Sequence, residues 1–213
     1  MAALIKFSID GRWAPNVEGS RAKGEPGRNH VLHNDPEMLG FLDFGFKGIP
    51  FDAAAVKTEF WLKTNHRTLG DVLPVLGKWG CSAEFKDLVE TLEPDVHQFF
   101  PITIRRPNGK PILRLDGREV GPGHYFIMNP LQQVEALLPD HCVAPWGEQR
   151  RTIRDVMPDV DDLCVSRTAI EGRHLWLNKP FIGSGLIFMS DALSAAVQAK
   201  KLRGFRLRQV REA

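Results

Sequence analysis

Leu186-Ile-Phe-Met-Ser-Asp-Ala-Leu193 is the stretch that predicts the fold most directly, because it is typical of a strand that runs straight into a helix. Its first four residues are apolar and favour a buried strand. Ser190 and the aspartate after it favour a helix start, since a serine oxygen can accept a backbone N–H and a carboxylate is stabilised near the positive end of the helix dipole. Leu193, Ala196 and Val197 then fall on one face, which predicts an amphipathic helix.

The residues after this helix predict where it ends and where a last strand begins. Lys200 and Lys201 suit the negative end of the dipole. Gly204 suits the left-handed residue that follows a last helical turn. The segment from Phe205 to Val210 alternates apolar with polar or charged residues at its start, as a half-buried strand does.

A second serine-capped helix is predicted upstream. Ser82, which lies 108 positions before Ser190, can cap a helix with one buried stripe. The apolar residues of that stripe follow the i, i+3, i+4, i+7 spacing: Phe85, Leu88, Val89 and Leu92.

A strand is predicted directly after this second helix. Pro94 disfavours a helical residue before it, and the segment from Val96 to Ile104 carries apolar residues at alternate positions. Pro101 cannot donate a hydrogen bond to a neighbouring strand, so its side of the strand is expected to face an edge or a bulge. The two strand-or-loop, helix, strand units resemble each other in design, although they share too few identical residues to be a repeat.

The other segments give weaker local signals. Strands are predicted at Leu4 to Ile9, at Met38 to Phe46 and at His124 to Met128. Leu131 to Leu138 is expected to be helical or irregular, and Pro139 to Trp146 is expected to form a loop.

Length, composition and charge favour one globular α+β domain. The chain has 213 residues and a formal net charge of +2 from 28 basic and 26 acidic residues. A single domain over residues 1–213 is predicted, with an irregular, strand-rich part at 1–76 followed by the remainder at 77–213. The small net charge favours neither a general nucleic-acid binder nor a membrane-surface binder. Lys6 and Asp10 interrupt the apolar core that a signal peptide needs, so a cytoplasmic protein is expected.

The cysteines and histidines indicate no metal or cofactor. The three cysteines, Cys81, Cys142 and Cys164, are far apart and odd in number, which favours buried reduced thiols. The seven histidines form none of the spacings of zinc hydrolases or deaminases, and no glycine-rich loop opens a helix that could receive a phosphate. A thiol hydrolase that pairs Cys81 or Cys142 with a histidine such as His97 stays open as an alternative.

Two charged segments are candidate binding surfaces. The densest acidic run consists of Asp155, Asp159, Asp161 and Asp162, and it lacks the glycine and the final glutamate of a calcium loop. It is interpreted as a solvated loop or as an acidic patch that occupies a basic partner site. The aromatic residue Trp146 marks a neighbouring candidate contact.

The basic C-terminus is the second charged segment. Its cations are Lys200, Lys201, Arg203, Arg206, Arg208 and Arg211. A nucleic-acid-binding regulator is the alternative that this segment suggests, although no stacking aromatic or recognition motif accompanies it.

Four segments in a fixed order resemble one bacterial family. They are Leu92-Glu-Pro-Asp-Val-His-Gln-Phe-Phe-Pro101, His124-Tyr-Phe-Ile-Met-Asn-Pro130, Gly172-Arg-His-Leu-Trp176, and the opening stretch with its continuation to Leu202-Arg-Gly-Phe205. Together they resemble a family once catalogued as a domain of unknown function and now regarded as immunity proteins of polymorphic toxin systems. The resemblance covers roughly residues 77 to 210.

The resemblance implies a function in bacterial competition. Members of such a family are expected to have an α+β fold, to lack catalytic activity and cofactors, and to bind a toxin encoded nearby. The expected function is therefore that of a toxin inhibitor that neutralises its cognate toxin by occluding it. The activity of the toxin is not implied.

Overall fold

The computed structural model has an α+β architecture, and it describes residues 2–7, 17–19, 48–62, 66–75, 78–114, 116–142, 163–179 and 187–213. The helices are α1 (Ala83–Leu92), α2 (Arg167–Ile170) and α3 (Asp191–Ala199). The strands are β1 (Ala3–Phe7), β2 (Val17–Gly19), β3 (Glu59–Leu62), β4 (Val72–Val75), β5 (Lys78–Ser82), β6 (Gln98–Arg105), β7 (Tyr125–Asn129), β8 (Gln133–Val134), β9 (Cys164–Val165), β10 (Leu175–Asn178), β11 (Ile187–Met189), β12 (Phe205–Gln209) and β13 (Arg211–Glu212).

A mixed sheet brings the first strand beside the last part of the chain. Its order is β12-β1-β11-β10-β8, so β1 lies between two strands from the C-terminal region. Alternate β1 residues point to opposite faces: Leu4 packs with Trp176 and Phe188 on one face, whereas Ala3 and Ile5 pack on the other. Both faces of the sheet are therefore covered by apolar side chains.

The strands β2-β3-β6-β7-β5-β4 close into a barrel. The predicted alternation in β6 is confirmed, since Phe100, Ile102 and Ile104 are buried in the barrel core. Pro101 is exposed and pairs with Phe126 of β7, while the pairing with β3 begins only at Thr103. β6 lies between β3 and β7 in the closed barrel, so Pro101 belongs to an interior strand, two residues before its pairing with β3 begins.

The helices α1 and α3 start in the same way. The Oγ of Ser82 accepts a hydrogen bond from the Phe85 N–H at 3.3 Å, and the Oγ of Ser190 accepts one from the Leu193 N–H at 3.2 Å. Each serine also makes two contacts outside its helix. The N–H and the Oγ of Ser82 both donate to Asp71, and Ser190 contacts His174 through the same two groups. These contacts fix each strand-to-helix junction to a neighbouring segment.

The two helices pack between the sheet and the barrel. One continuous core contains Phe85 and Val89 of α1 together with Leu193 and Val197 of α3. The same core includes residues of the sheet and of the barrel: Ala3, Ile5, Val72, Trp79, Cys81, Met128, Leu175, Leu177, Ile187 and Met189. The amphipathic faces predicted for both helices are confirmed.

The end of α3 differs from the prediction. The left-handed residue after the last turn is Lys201, with φ 55°, and not Gly204. The Lys201 N–H donates to the Gln198 carbonyl at 2.9 Å and the Leu202 N–H donates to the Val197 carbonyl at 3.1 Å, which is a Schellman motif. Gly204 is needed three residues later, where its φ is 101° and an added Cβ would lie 2.4 Å from the Val72 carbonyl oxygen.

Other predicted elements differ mainly at their ends. The first strand ends at Phe7 within the described residues, and the predicted strand at 124–128 is observed as β7, one residue later. Residues 131–138 contain the short strand β8 and no helix, so the helical alternative is wrong there and the strand was not predicted. The strand predicted at Met38 to Phe46 lies outside the described residues. No helix in the described ranges is long and apolar enough to cross a membrane.

Candidate functional site

A cleft of about 560 Å³ opens between α2 and the start of α3. One wall consists of α2 and the turn that follows it, from Arg167 to His174. The opposite wall consists of Ser190, Asp191 and Ala192, and Glu212 of β13 closes one end. Cavities of this size are typical of binding sites, so the cleft is the candidate site among the described residues.

Ser190 and His174 form the inner corner of the cleft. The His174 Nδ1 lies 2.8 Å from the Ser190 Oγ, and the Ser190 N–H donates to the His174 carbonyl at 3.0 Å. Because the Oγ also accepts the Leu193 N–H, the hydroxyl proton is available to the imidazole nitrogen. The pair holds the start of α3 against the start of β10.

The buried carboxylate of Glu93 holds this corner from behind. One of its oxygens accepts the His174 N–H at 2.6 Å and the Gln132 amide at 3.0 Å. The other accepts the Leu175 N–H at 2.9 Å and contacts the His97 Nε2 at 2.8 Å. Burial alone would raise the pKa of Glu93, but these hydrogen bonds outweigh it and hold the pKa below its ordinary value.

His97 completes this network from the barrel side. Its Nδ1 accepts the Leu131 N–H at 3.1 Å, so a neutral ring with its proton on Nε2 can donate to Glu93. Glu93 follows α1, His97 leads into β6 and His174 leads into β10, so the network joins the barrel unit to the sheet. The position of the cleft wall therefore depends on a carboxylate about 80 residues away in sequence.

The lining of the cleft combines apolar and charged side chains. Ile170 is 9% exposed and belongs to the core on the outer face of the sheet. The charged residues of the lining are Arg167, Glu171, Arg173, Asp191 and Glu212. Arg167 Nε lies 3.4 Å from Glu212 Oε2, which pairs one cation with one anion across the end of the cleft. This arrangement suits the binding of an amphipathic side chain or segment.

The predicted thiol chemistry finds no support in the geometry. Cys81 is fully buried, and burial raises the pKa of its thiol, which disfavours the thiolate that catalysis needs. Cys164 is also buried, and the Cys142 thiol contacts the Leu138 carbonyl at 3.2 Å. His97, the suggested base, binds Glu93 and Leu131. Within the described parts of the chain, no three His, Cys, Asp or Glu side chains lie close enough to hold a metal ion.

The site residues predicted from sequence lie outside the described residues. They are Trp146, Asp155, Asp159, Asp161 and Asp162. The described chain resumes at Leu163, whose carbonyl accepts the Arg211 N–H at 3.2 Å. The residue after Arg211 is Glu212, so the described chain resumes next to a residue that lines the cleft.

Sequence reasoning identified Ser190 only as a helix cap and missed the roles of Glu93, His174 and Ile170. Glu93 and His174 lie in two of the segments that carry the family resemblance, and neither position in the sequence indicates these contacts. The only local signal was the presence of polar residues inside otherwise apolar segments, which does not reveal their partners.

The model of the Imm11 immunity protein family matches residues 54–212. The match contains the barrel strands β3 to β7, the helices and every cleft residue up to Glu212. No curated protein matches the chain.

Proposed function

Because this chain belongs to the Imm11 immunity protein family, we propose that it binds a cognate bacterial toxin and neutralises it by occluding its active site. The observation that carries the proposal is the family match over residues 54–212. The toxin is encoded near the immunity gene and belongs to a polymorphic toxin system used in bacterial competition. The protein acts in the cytoplasm, where such a toxin meets its target.

Binding, rather than turnover, is the proposed mode of action. The proposed binding domain spans residues 1–213, and the continuous core that joins β1, the barrel and the helices supports one unit for the described residues. A rigid surface loses little conformational entropy when a partner binds, which favours tight inhibition.

The acidic run is proposed to contact the toxin. Four carboxylates at Asp155, Asp159, Asp161 and Asp162 can complement a basic active site, such as that of an enzyme that acts on phosphate-containing substrates. Trp146 is proposed as an apolar contact beside them, because tryptophan is enriched among residues that dominate interface energies.

Co-purification tests this function. The purified protein is mixed with the product of the adjacent gene, and the complex is analysed by size-exclusion chromatography and by titration of toxin activity. A stable one-to-one complex with stoichiometric inhibition is expected. Protection at a sub-stoichiometric dose, with multiple turnover, would refute inhibition by binding.

Hydrolysis is a second candidate function, favoured by one observation. Ser190 Oγ lies 2.8 Å from an imidazole nitrogen at the edge of a cleft, which is the contact that a nucleophile and its base make. Two features favour binding instead: the same Oγ caps α3, and Glu93 binds the His174 backbone rather than its ring. Ester hydrolysis that is abolished by Ser190→Ala in protein that stays folded and loses only the about 1 kcal/mol expected for a removed helix cap would establish the enzyme.

A further inference from the structure

We infer that the outer edge of β12 is a docking site for an extended acidic segment of the toxin, which pairs with this strand through its backbone. This inference rests on the proposed function and specifies the chemistry of the partner. It concerns described residues only and uses neither the cleft nor the acidic run.

β12 lies at one end of the five-stranded sheet, where β1 is its neighbour among the described strands. The Val210 N–H donates to the Ala2 carbonyl at 2.8 Å, directly after the position where Gln209 pairs with Ala3. In an antiparallel pair, residues that exchange hydrogen bonds with the neighbouring strand alternate with residues whose backbone groups point away from it. The N–H and carbonyl groups of Leu207 and Gln209 therefore point away from β1, and they form the outer edge of β12.

The segment that follows β12 already pairs on this same side. Arg211 lies two residues after Gln209, and its N–H donates to the Leu163 carbonyl of the chain that enters β9, at 3.2 Å. Within the described ranges, no strand lies beside Leu207 and Gln209 on that side. An extended segment that binds there would add a strand to the sheet, which is a common mode of peptide recognition.

The two faces of β12 differ in chemistry. Phe205 and Leu207 are partly buried and pack against the core that contains α3. Arg206 lies on the opposite face of the strand and is exposed. An added strand would place its own residues alternately on these two faces, where they contact the side chains of β12. A segment in which apolar and acidic residues alternate fits this edge.

The charges near β12 favour an acidic segment. Residues 192–211 contain six cations and no acidic residue. Three of these cations, Lys200, Lys201 and Arg206, are exposed, and their side chains make no hydrogen bond or ion pair within the described part of the chain. Carboxylates on the added strand would complement these positive charges.

The same charges disfavour other strands. A second copy of the chain would bring its own cations to the new pairing, and like charges opposite each other destabilise a sheet. Cations on an edge strand also oppose the pairing of neutral or basic strands, which protects against aggregation. The edge is thus selective for an acidic partner over self-association.

A protein strand is favoured over a nucleic acid by the backbone groups of the edge. Leu207 and Gln209 each offer a donor and an acceptor. A second strand can satisfy both groups, whereas the phosphates of a nucleic acid accept hydrogen bonds and cannot donate to the two carbonyls.

The first test removes a backbone donor from the edge with Gln209→Pro. Gln209 is exposed and its N–H points away from β1, so the proline keeps the bonds between β12 and β1. Gln209→Ala is the matched control, because it removes the same side chain and keeps the N–H. Affinity for the adjacent-gene toxin, measured by calorimetry, is expected to fall at least tenfold in the proline variant and to stay within twofold in the alanine variant.

The second test removes two of the unpaired cations. The double variant Lys200→Gln, Arg206→Gln is expected to bind the toxin about tenfold more weakly at low salt, with a smaller difference at high salt. The control Arg105→Gln, Lys110→Gln removes two exposed cations at the end of β6, which belongs to the barrel. It is expected to bind like the wild type and to melt near the wild-type temperature.

Amide hydrogen exchange of the wild-type protein tests the pairing without any substitution. The Leu207 and Gln209 amides should exchange at least tenfold more slowly in the toxin complex than in the free protein, because the added strand accepts their hydrogen bonds. The Arg206 and Arg208 amides point towards β1 and are the internal control. Unchanged exchange at Leu207 and Gln209 would refute strand addition, even if Gln209→Pro proved unstable.

The outcomes separate this inference from the proposed function. If wild-type protein forms no complex with the toxin, the proposed function fails and the inference falls with it. If the wild type binds and every variant binds equally well, only the docking site is refuted. If the loss of Lys200 and Arg206 weakens binding while Gln209→Pro has no effect, charge attracts the toxin without strand pairing, which also refutes the docking site. Displacement of the toxin by a DNA or RNA oligonucleotide would show that the basic segment binds nucleic acid instead.

Discussion

At the scale of single residues, Glu93 makes connections that its position just after a helix does not suggest. It is 4% exposed and binds groups from the segments before β6, β8 and β10. A buried carboxylate is stable only when such donors surround it. Glu93 is therefore the residue whose removal should loosen the barrel unit, the sheet and the cleft wall together.

The pH dependence of stability should report this network. The pKa of Glu93 is lowered from its ordinary value of 4.5 in the fold, so the folded state binds fewer protons than the unfolded state. The ionised carboxylate of Glu93 therefore contributes its full share of the unfolding free energy above pH 4.5. This share is lost as the pH falls through the lower pKa that Glu93 has in the folded state. Glu93→Gln should cost about 2–4 kcal/mol of unfolding free energy at pH 7 and less at pH 3.

Urea unfolding of both proteins at the two pH values measures this difference. The comparison with the variant is needed because burial raises the pKa of Asp71, which contributes to the pH dependence with the opposite sign. The exposed Glu135→Gln serves as the control. A cost of Glu93→Gln that does not change between pH 7 and pH 3 would show that the carboxylate charge is not what binds the network.

Gly204 allows a close contact with β4, whereas its sequence position predicted the end of a helix. It lies where the chain passes closest to β4, and the Asp71 and Val72 N–H groups both donate to the Arg203 carbonyl. Gly204→Ala would combine an unfavourable positive φ with a Cβ placed 2.4 Å from the Val72 oxygen.

Two glycine variants can separate these effects. Gly109 also has a positive φ, of 68°, but an added Cβ there would meet nothing within 4 Å. Gly109→Ala should therefore cost about 1 kcal/mol from φ alone, and Gly204→Ala should cost about 3 kcal/mol or more. Equal melting temperatures for the two variants would mean that β4 and the Arg203 loop are not in close contact.

At the scale of elements, the two serine-capped helices were predictable because their signals are local. A cap, an apolar stripe and a following breaker all lie within about twelve residues, and each acts on the backbone beside it. The strand partners were not predictable, because β1 pairs with strands some 180 to 200 residues away. The predicted end of α3 was wrong because a lysine, Lys201, adopts the left-handed conformation that usually favours glycine. Gly204 instead allows the close contact with β4.

The face of α3 gives a prediction for a whole element. Leu193 is fully buried in the core shared with α1 and β1, so Leu193→Asp would place an unpaired charge there. Soluble protein is expected to disappear from expression tests. Ala195→Asp, on the exposed side of the same helix, should leave the yield and the melting temperature unchanged. A soluble Leu193→Asp variant with the wild-type melting temperature would contradict the packing of α3.

At the scale of the whole molecule, the sequence indicates the kind of function better than the place where it is carried out. The cleft is assembled from residues near positions 170, 190 and 212, which become neighbours only when the sheet forms. None of these residues has a spacing that points to the others. By contrast, the acidic run is visible in the sequence because its four carboxylates lie within eight residues. It therefore supplies a prediction about the rate of association with the toxin.

Reversal of the acidic run tests whether it meets the toxin. The variant with Asp155→Lys, Asp159→Lys, Asp161→Lys and Asp162→Lys is expected to keep the wild-type melting temperature, because surface charge substitutions usually alter stability by only a few tenths of a kcal/mol each. If the four carboxylates steer a basic toxin towards the protein, their reversal should slow association about tenfold or more at low salt. The effect should shrink at high salt, where screening weakens steering. Stopped-flow association rates at low and at high salt measure this effect. Rates equal to those of the wild type under both conditions would exclude the acidic run from the interface. The cleft would then be the next contact to examine.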